Sequence, residues 1–314
     1  MAKKIIPPMP LAVALKKRAM ALDAAIPRHL RGANRLSPQL LHGTRVVTKR
    51  LRAWWRLMLP LAGRTTVRNA QDRLTTVAQM LAPLRDAHVM HQIIRQLAPR
   101  AETDAVRAAL ETIDRQLATA ALPHGPALEF SHLQEQLLRT FKSDAAAWRR
   151  LPVAGEADDR ILTEMGRTYR RARRRGRRVA RHETAQDLHE WRMWVKTHLH
   201  QMEFFAAERG GRREEEIRQL ARLGRLLGRG QDLAILDGWV AWRESTGALN
   251  RKEARRVHAF LHRRQDQLRT RCERLGRRLF AVKPKVFAAQ LPGQGRPQAG
   301  KLRRSRPAAV RGKG

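Results

Sequence analysis

Apolar residues recur along this chain in steps of three and four, and nowhere do they alternate with polar ones for the length of a half-buried strand. The pattern predicts an all-α protein. Leu11, Leu15, Met20, Leu22 and Ile26 mark a first helix from 11 to about 33. Ser37-Pro38 supplies an N-cap followed by proline at the first helical position, opening a second helix expected to stop between Leu61 and Gly63. Further helices are predicted at about 66–81, 84–97, 102–121 and 127–150, separated by Pro83 and by the breaker from Leu122 to Pro126. Asp86 reads as the N-cap of the 84–97 helix, with orientation of neighbouring bases as the alternative.

The second helix has two contrasting faces. Val47, Leu51, Trp54, Met58 and Leu61 share one side, while His42, Arg45, Lys49, Arg52 and Arg56 share the other. From His42 to Arg56 that cationic stripe is roughly 21 Å long at the helical rise. Its length suits an extended anion better than one small phosphate.

The pattern breaks at Pro152 to Asp159 and then restarts. Leu162, Met165, Tyr169, Ala172, Gly176 and Val179 form one apolar seam on a segment that carries nine arginines between Arg167 and Arg181 with no acid among them. Like charges at helical neighbour spacing repel, so this segment is expected to gain order when an anion neutralises it. Residues 188–205 then align with 41–58, placing His189, Arg192 and Lys196 where His42, Arg45 and Lys49 fall. Leu227 to Leu236 answers Leu81 to Met90, and the two offsets, 147 and 146 residues, keep register over about 50 residues. The chain therefore reads as an internal duplication with halves at 11–151 and 158–282. A last helix is expected at about 250–282. From Lys283 to Gly314 nine bases, no acid and many Pro and Gly read as a disordered cationic tail.

Composition narrows the function. Lys and Arg number 65 against 28 acids, a formal charge of +37 that self-repulsion makes costly unless a polyanion uses it. Cys272 is the sole cysteine, which excludes an internal disulfide. No apolar run reaches a membrane span, and Pro7, Pro8 and Pro10 interrupt the signal-like start, so a cytoplasmic protein without membrane partners is expected. His88 with His91, and His258 with His262, have metal-like spacing but no further ligand nearby in sequence, so no metal or cofactor is expected. The basic stripes hold only isolated acids, too few to position Mg²⁺ for phosphoryl chemistry. His42 and His189 read first as hydrogen-bond donors that gain charge when an anion arrives; a phospho-acceptor or processing role for either is the enzymatic alternative. Nucleic-acid backbone binding, particularly through the tail, is the other alternative.

The motifs L-H-x-x-R-V-x-x-K-R-L-R at Leu41 to Arg52, L-R-D at Leu84 to Asp86, L-H-E-W-R-x-x-x-K at Leu188 to Lys196 and E-F-F at Glu203 to Phe205 resemble the CHAD family, the conserved histidine α-helical domain. The resemblance extends from about residue 11 to 282. It implies two pseudo-symmetric four-helix-type bundles around a basic cavity that binds inorganic polyphosphate without catalysis, in proteins that associate with polyphosphate granules. The family's basic motif maps onto His42, Arg45, Lys49, Arg50 and Arg52, and onto His189, Arg192 and Lys196. Arg56 and Arg85 are expected to extend the first set. The second copy departs from the family at Thr197-His198-Leu199 and at Gln231-Asp232, and Arg170, Arg174 and Arg177 are expected to compensate. The E-x-E-x-K signature of the CYTH triphosphatase often fused to this domain is absent. Oligomeric state stays open.

Overall fold

In the computed structural model, which describes residues 9–119, 128–153, 157–181, 184–210 and 213–291, the amphipathic segments are helices and the described residues contain no strand. In order they are α1 (Leu11–Arg31), α2 (Pro38–Leu57), α3 (Leu59–Ala62), α4 (Arg64–Met80), α5 (Ala82–Leu97), α6 (Asp104–Thr119), α7 (Leu128–Arg150), α8 (Asp158–Val179), α9 (Ala185–Arg209), α10 (Glu214–Ser245), α11 (Arg251–Leu279) and α12 (Pro284–Gln290). A 3₁₀ turn, Ala98–Arg100, joins α5 to α6. The Ser37 hydroxyl accepts the Leu40 N–H at 3.2 Å and Pro38 takes the first helical position, so α2 starts as its sequence predicts. Helix α5 starts earlier than expected, after Leu81, so Asp86 lies within the helix and does not cap it. The breaker at 122–126 lies outside the described residues.

Two hydrophobic clusters result. One joins α1, α2, α4, α7, α8, α9, the first half of α10 and α12; the other joins α5, α6, the second half of α10 and most of α11. Both draw on residues from 11–151 and from 158–282. Helix α10 connects them because its 32 residues run unbroken, roughly 48 Å at the helical rise, where Leu81 and Pro83 interrupt α4 and α5.

The chain beyond Lys283 was expected to be disordered, and its first turns are not. Helix α12 packs on α8, with the Phe287 ring stacked on Tyr169 at 4.0 Å between centroids. Phe287 and Leu291 are buried, and the Tyr169 hydroxyl donates to the Val282 carbonyl at 2.9 Å. Two apolar anchors inside a basic, proline-bearing stretch suffice to dock it. Residues 292–314 lie outside the described residues.

Two aspartates sit in the first cluster. Asp144, fully buried, accepts from the indoles of Trp55 (3.0 Å) and Trp148 (3.1 Å) and from Arg73 Nη2 at 3.3 Å. Asp23, 1% exposed, has no such donor. Burial first, and then the Asp144 charge, pushes its carboxyl up to about 9, so Asp23 keeps its proton at neutral pH; burial raises the Asp144 carboxyl as well, against the pull of Trp55, Arg73 and Trp148. The unfolded chain gives up this proton near the ordinary pKa of 3.8, and the folded one holds it until about 9. The unfolded state therefore binds fewer protons across that window, and this pair lowers stability as pH rises through it. Asp23→Asn removes the effect. Urea unfolding is expected to show the variant gaining on wild type from pH 5 to pH 8, by at most about 1.4 kcal/mol per pH unit. Parallel stability curves would mean that Asp23 is ionised in the fold.

Candidate functional site

The apolar face of α2 is buried: Val47, Leu51, Trp54 and Trp55 enter the core, and Thr44 and Thr48 return their hydroxyls to the carbonyls of Leu40 and Thr44 at 2.8 Å each. The opposite face carries the bases. His42 is exposed, while Arg45, Lys49, Arg50, Arg52 and Arg56 are half-buried. Arg45 Nη1 donates to the Leu81 carbonyl at 3.2 Å, at the C-terminal end of α4 where the helix dipole favours a cation. Arg52 and Gln71 of α4 exchange hydrogen bonds, 3.4 Å from the guanidinium to the amide oxygen and 2.6 Å from the amide to the Arg52 carbonyl.

Helix α9 carries the matching bases against α10. Thr184 caps it by accepting the Asp187 N–H at 3.0 Å. Exposed His189 places Nδ1 3.3 Å from Gln231 Oε1. Arg192 lies along Gly228 and Lys196 along Gly224; a Cβ at Gly224 would stand 2.9 Å from Lys196 Cε. Two glycines one turn apart thus open a shallow channel in α10 that receives two cationic side chains. Burial lowers the Lys196 pKa, and the neighbouring charges of Arg192 and Arg225 lower it further.

The two helices cross where Trp54 Nε1 donates to the His200 carbonyl (3.3 Å) and Gln201 Nε2 donates to the Ala53 carbonyl (3.0 Å). Cations collect near the crossing. Arg56 and Arg171 lie over the Trp194 ring at 4.6 and 4.7 Å. Burial, then Arg171 and Arg52, pushes the Arg56 pKa down to about 10. Burial lowers that of Arg52 as well. Glu203, standing where the first stripe has Arg56, pairs with Arg50 at 3.8 Å and with His200 Nδ1 at 3.0 Å. Burial acts to raise the Glu203 pKa, but His200, Arg50 and Lys196 together hold it below the usual range.

The structure therefore groups Arg52, Arg56 and Arg171, and separately Arg192, Lys196 and Arg225, with Glu203 and its partner Arg50 beside Lys196. His42 and His189 stand at the far ends of their stripes, roughly 18 Å along each helix from the crossing. The side chain of Arg85 lies outside the described residues. Arg170, Arg174 and Arg177 are exposed on α8. Arg177 joins Arg173, Arg181, Arg277 and Trp191 around a cavity of about 300 Å³ between α8 and α11, with Arg174 in the adjoining concavity.

Acids of α8 and α9 and a backbone carbonyl at the end of α11 engage part of the arginine-dense helix. Arg175 meets Glu190 at 2.5 Å, Arg178 meets Asp187 at 2.8 Å, Arg167 meets Glu164 at 2.9 Å, and Arg173 donates to the Phe280 carbonyl at 2.8 Å. Sequence reasoning missed Arg171, Trp194 and Arg225. Gly224 and Gly228, four apart inside a helical pattern, were the one local signal of a close approach. Away from this surface, α10 brings Asp237 against His258 and His262 of α11, a group with metal-like spacing. His91 is paired with Asp114 at 2.7 Å.

The sequence model of the CHAD domain matches residues 14–241, from α1 into α10. The chain belongs to the CHAD family. Its fold is similar to that of the CHAD domain from the plant Ricinus communis, at 18% identity with a TM-score of 0.58 over 90% of this chain and 96% of the other. It is also similar to PptA from Streptomyces chartreusis, at 16% identity with a TM-score of 0.61 over 88% of this chain and all of the other. At these identities the likeness is one of fold. A comparison with curated proteins finds no significant match. In this CHAD chain α11 and α12 lie beyond the matched residues, although α12 packs on α8 within them. No helix among the described residues is long and apolar enough to cross a membrane.

Proposed function

We propose that this CHAD protein binds inorganic polyphosphate without catalysis, along the two basic stripes and the arginines of α8, and that it acts at polyphosphate granules in the cytoplasm. The observation that carries this reading is the state of Arg56 and Lys196. Both are half-buried cations whose charge is disfavoured by burial and by adjacent cations, Arg171 and Arg52 in one case, Arg192 and Arg225 in the other. Such repulsion is a cost in the free protein that an anionic chain relieves on binding. Each Lys or Arg then makes a charge-assisted bond to phosphate oxygens, and arginine can grip two at once.

An internal duplication is part of the proposal. Pro38 and Ala185 open α2 and α9, and Asp104 and Arg251 open α6 and α11, each pair 147 residues apart. The hydrogen bonds at the α2–α9 crossing are images of each other under the same offset: residue 54 donates to the carbonyl of 200, and residue 201 to that of 53. The Leu11 N–H donates to Asp158, again 147 residues away, so the starts of α1 and α8 meet. Helix α12 packs on α8 as α7 packs on α1.

Arginines compete with bases for the tryptophans of this surface. Two guanidiniums lie over the Trp194 ring, and exposed Trp242 has Arg243 over its ring at 5.6 Å. Phosphoryl chemistry lacks support here too, since Glu164 and Glu203 are engaged by bases and are not free to hold Mg²⁺. The test is competition at physiological salt. Long-chain polyphosphate is expected to displace duplex and single-stranded nucleic acid, with affinity falling steeply as salt rises. Preference for nucleic acid would overturn the ligand assignment. Release of orthophosphate, or an acid-labile phosphohistidine at His42 or His189, would overturn the non-catalytic one.

A further inference from the structure

On the far side of α10 from Gly224, the second hydrophobic cluster carries a histidine–carboxylate group that the polyanion reading does not use. His258 and His262 are one turn apart on α11, so both imidazoles project from the same face. Asp237 of α10 meets both: Oδ1 lies 2.6 Å from His258 Nδ1, and Oδ2 lies 3.2 Å from His262 Nε2. One ligand atom from each of the three lies within 4.8 Å of the others. Glu244, two turns further along α10, sits 3.9 Å from His258 Nε2 on the opposite edge of the ring.

The geometry points to a site for one divalent transition-metal ion of the Zn²⁺, Co²⁺ or Ni²⁺ class, held by His258 Nδ1, His262 Nε2 and the Asp237 carboxylate. Three features carry this assignment. Two imidazoles with one carboxylate select borderline ions over Mg²⁺ and Ca²⁺, which prefer all-oxygen shells. Ligands at 2.0–2.1 Å around a tetrahedral ion stand roughly 3.3 Å from one another, close to the Asp237–His262 separation. The Asp237–His258 pair has to open by roughly 0.7 Å from its 2.6 Å hydrogen bond, within reach of a small rotation about the Asp237 side chain. Finally, Glu244, 3.9 Å from His258 Nε2, stands on the side where an outer carboxylate takes the remaining ring proton of a metal-bound histidine, so that the ion can replace the Nδ1 proton now shared with Asp237.

The site is open on one side. The His262 side chain is 60% exposed, whereas His258, Asp237 and Glu244 are between 21% and 29% exposed. Water completes the coordination there, and the ion has a path in. Because Asp237 comes from α10 and both histidines from α11, the ion would clip these two long helices together beneath the Phe260–Val240 core. The inference is independent of what the basic stripes bind.

The test uses the tag-free full-length chain in phosphate-free buffer, stripped with chelator and titrated with Co²⁺. One equivalent is expected to bind with a visible absorption band of low-symmetry, nitrogen-ligated Co²⁺, which Zn²⁺ abolishes by displacement. Zn²⁺ is also expected to raise the melting temperature. His262→Ala, at an exposed position that leaves the core intact, is expected to lose the band and the thermal shift. Asp237→Asn is expected to do the same, and Glu244→Gln to weaken binding roughly 10–100-fold. No saturable one-equivalent binding by wild type overturns the proposal. So does unchanged Co²⁺ binding by His262→Ala, since the ion would then sit elsewhere.

Discussion

Arg56→Met combined with Lys196→Met is expected to weaken long-chain polyphosphate binding by roughly 100-fold or more without lowering the melting temperature. The affinity loss follows from deleting two charge-assisted contacts, each worth about 1.5–3 kcal/mol. The slope of log affinity against log salt should also flatten by about two. The stability half has a separate cause. At neutral pH Arg56 is charged in both folded and unfolded chains, but its folded-state pKa is down at about 10. The penalty on the fold is therefore fully present below pH 10 and fades only between there and the unfolded value of 12.5. Removing the charge returns on the order of 1–3 kcal/mol. Against this stands about 1 kcal/mol of cation–π attraction to Trp194, and Arg171 still covers that ring. Methionine is flexible enough to fill the vacated space. Neutralising exposed Arg255 and Arg256 on α11 is the control, expected to cost less than tenfold in affinity. Equal losses from both pairs would mean that bulk charge alone attracts the ligand. Parallel loss of affinity and stability would make Arg56 and Lys196 structural residues.

Gly276→Ala should destabilise the protein by about 1–3 kcal/mol, although the same change in a helix usually stabilises by up to about 1 kcal/mol. A Cβ at Gly276 would lie 2.5 Å from Trp191 Cζ2 and 2.8 Å from Cη2. Backbone on two sides confines the indole. Its ring edge also lies 2.9 Å from where a Cβ on Gly176 would be, so α8 and α11 hold it from two sides. Trp191 is 1% exposed and rigid, unlike the Lys196 chain that lies against Gly224. Gly238→Ala in α10, where a Cβ meets nothing within 4 Å, is expected to follow the helix-propensity rule and stabilise. Chemical denaturation of both variants tests the contrast. Adding Trp191→Phe to Gly276→Ala should recover part of the loss as a coupling energy. Stabilisation by Gly276→Ala would show that the α8–α11 contact is looser than its geometry.

Much of this fold was legible because a helix that packs on a core must repeat its apolar residues at its own period. The Val47, Leu51, Trp54, Met58 face of α2 could be read directly, and so could the Ser37-Pro38 start. Long-range matching was not legible. Arg175 and Arg178 find Glu190 and Asp187 on the next helix, a pairing that the charge pattern of α8 alone does not announce. Composition spoke for disorder after Lys283, yet Phe287 had Tyr169 to stack on, and one buried aromatic outweighs an unfavourable average.

The candidate surface divides the same way. Local spacing put His42, Arg45, Lys49, Arg52 and Arg56 on one stripe and His189, Arg192 and Lys196 on another. Only packing brings Arg171 over Trp194 beside Arg56, or Arg225 towards Lys196. His258 and His262 looked short of ligands because Asp237 is 21 and 25 residues from them.

The order of side chains by itself determined that this chain is helical, strongly cationic and banded with basic stripes, since periodicity and charge are local properties that each segment carries. The tertiary structure alone decided which charges repel, which are neutralised, and which aspartate keeps its proton. Those outcomes depend on distance and desolvation between residues far apart in sequence, and helix packing sets both.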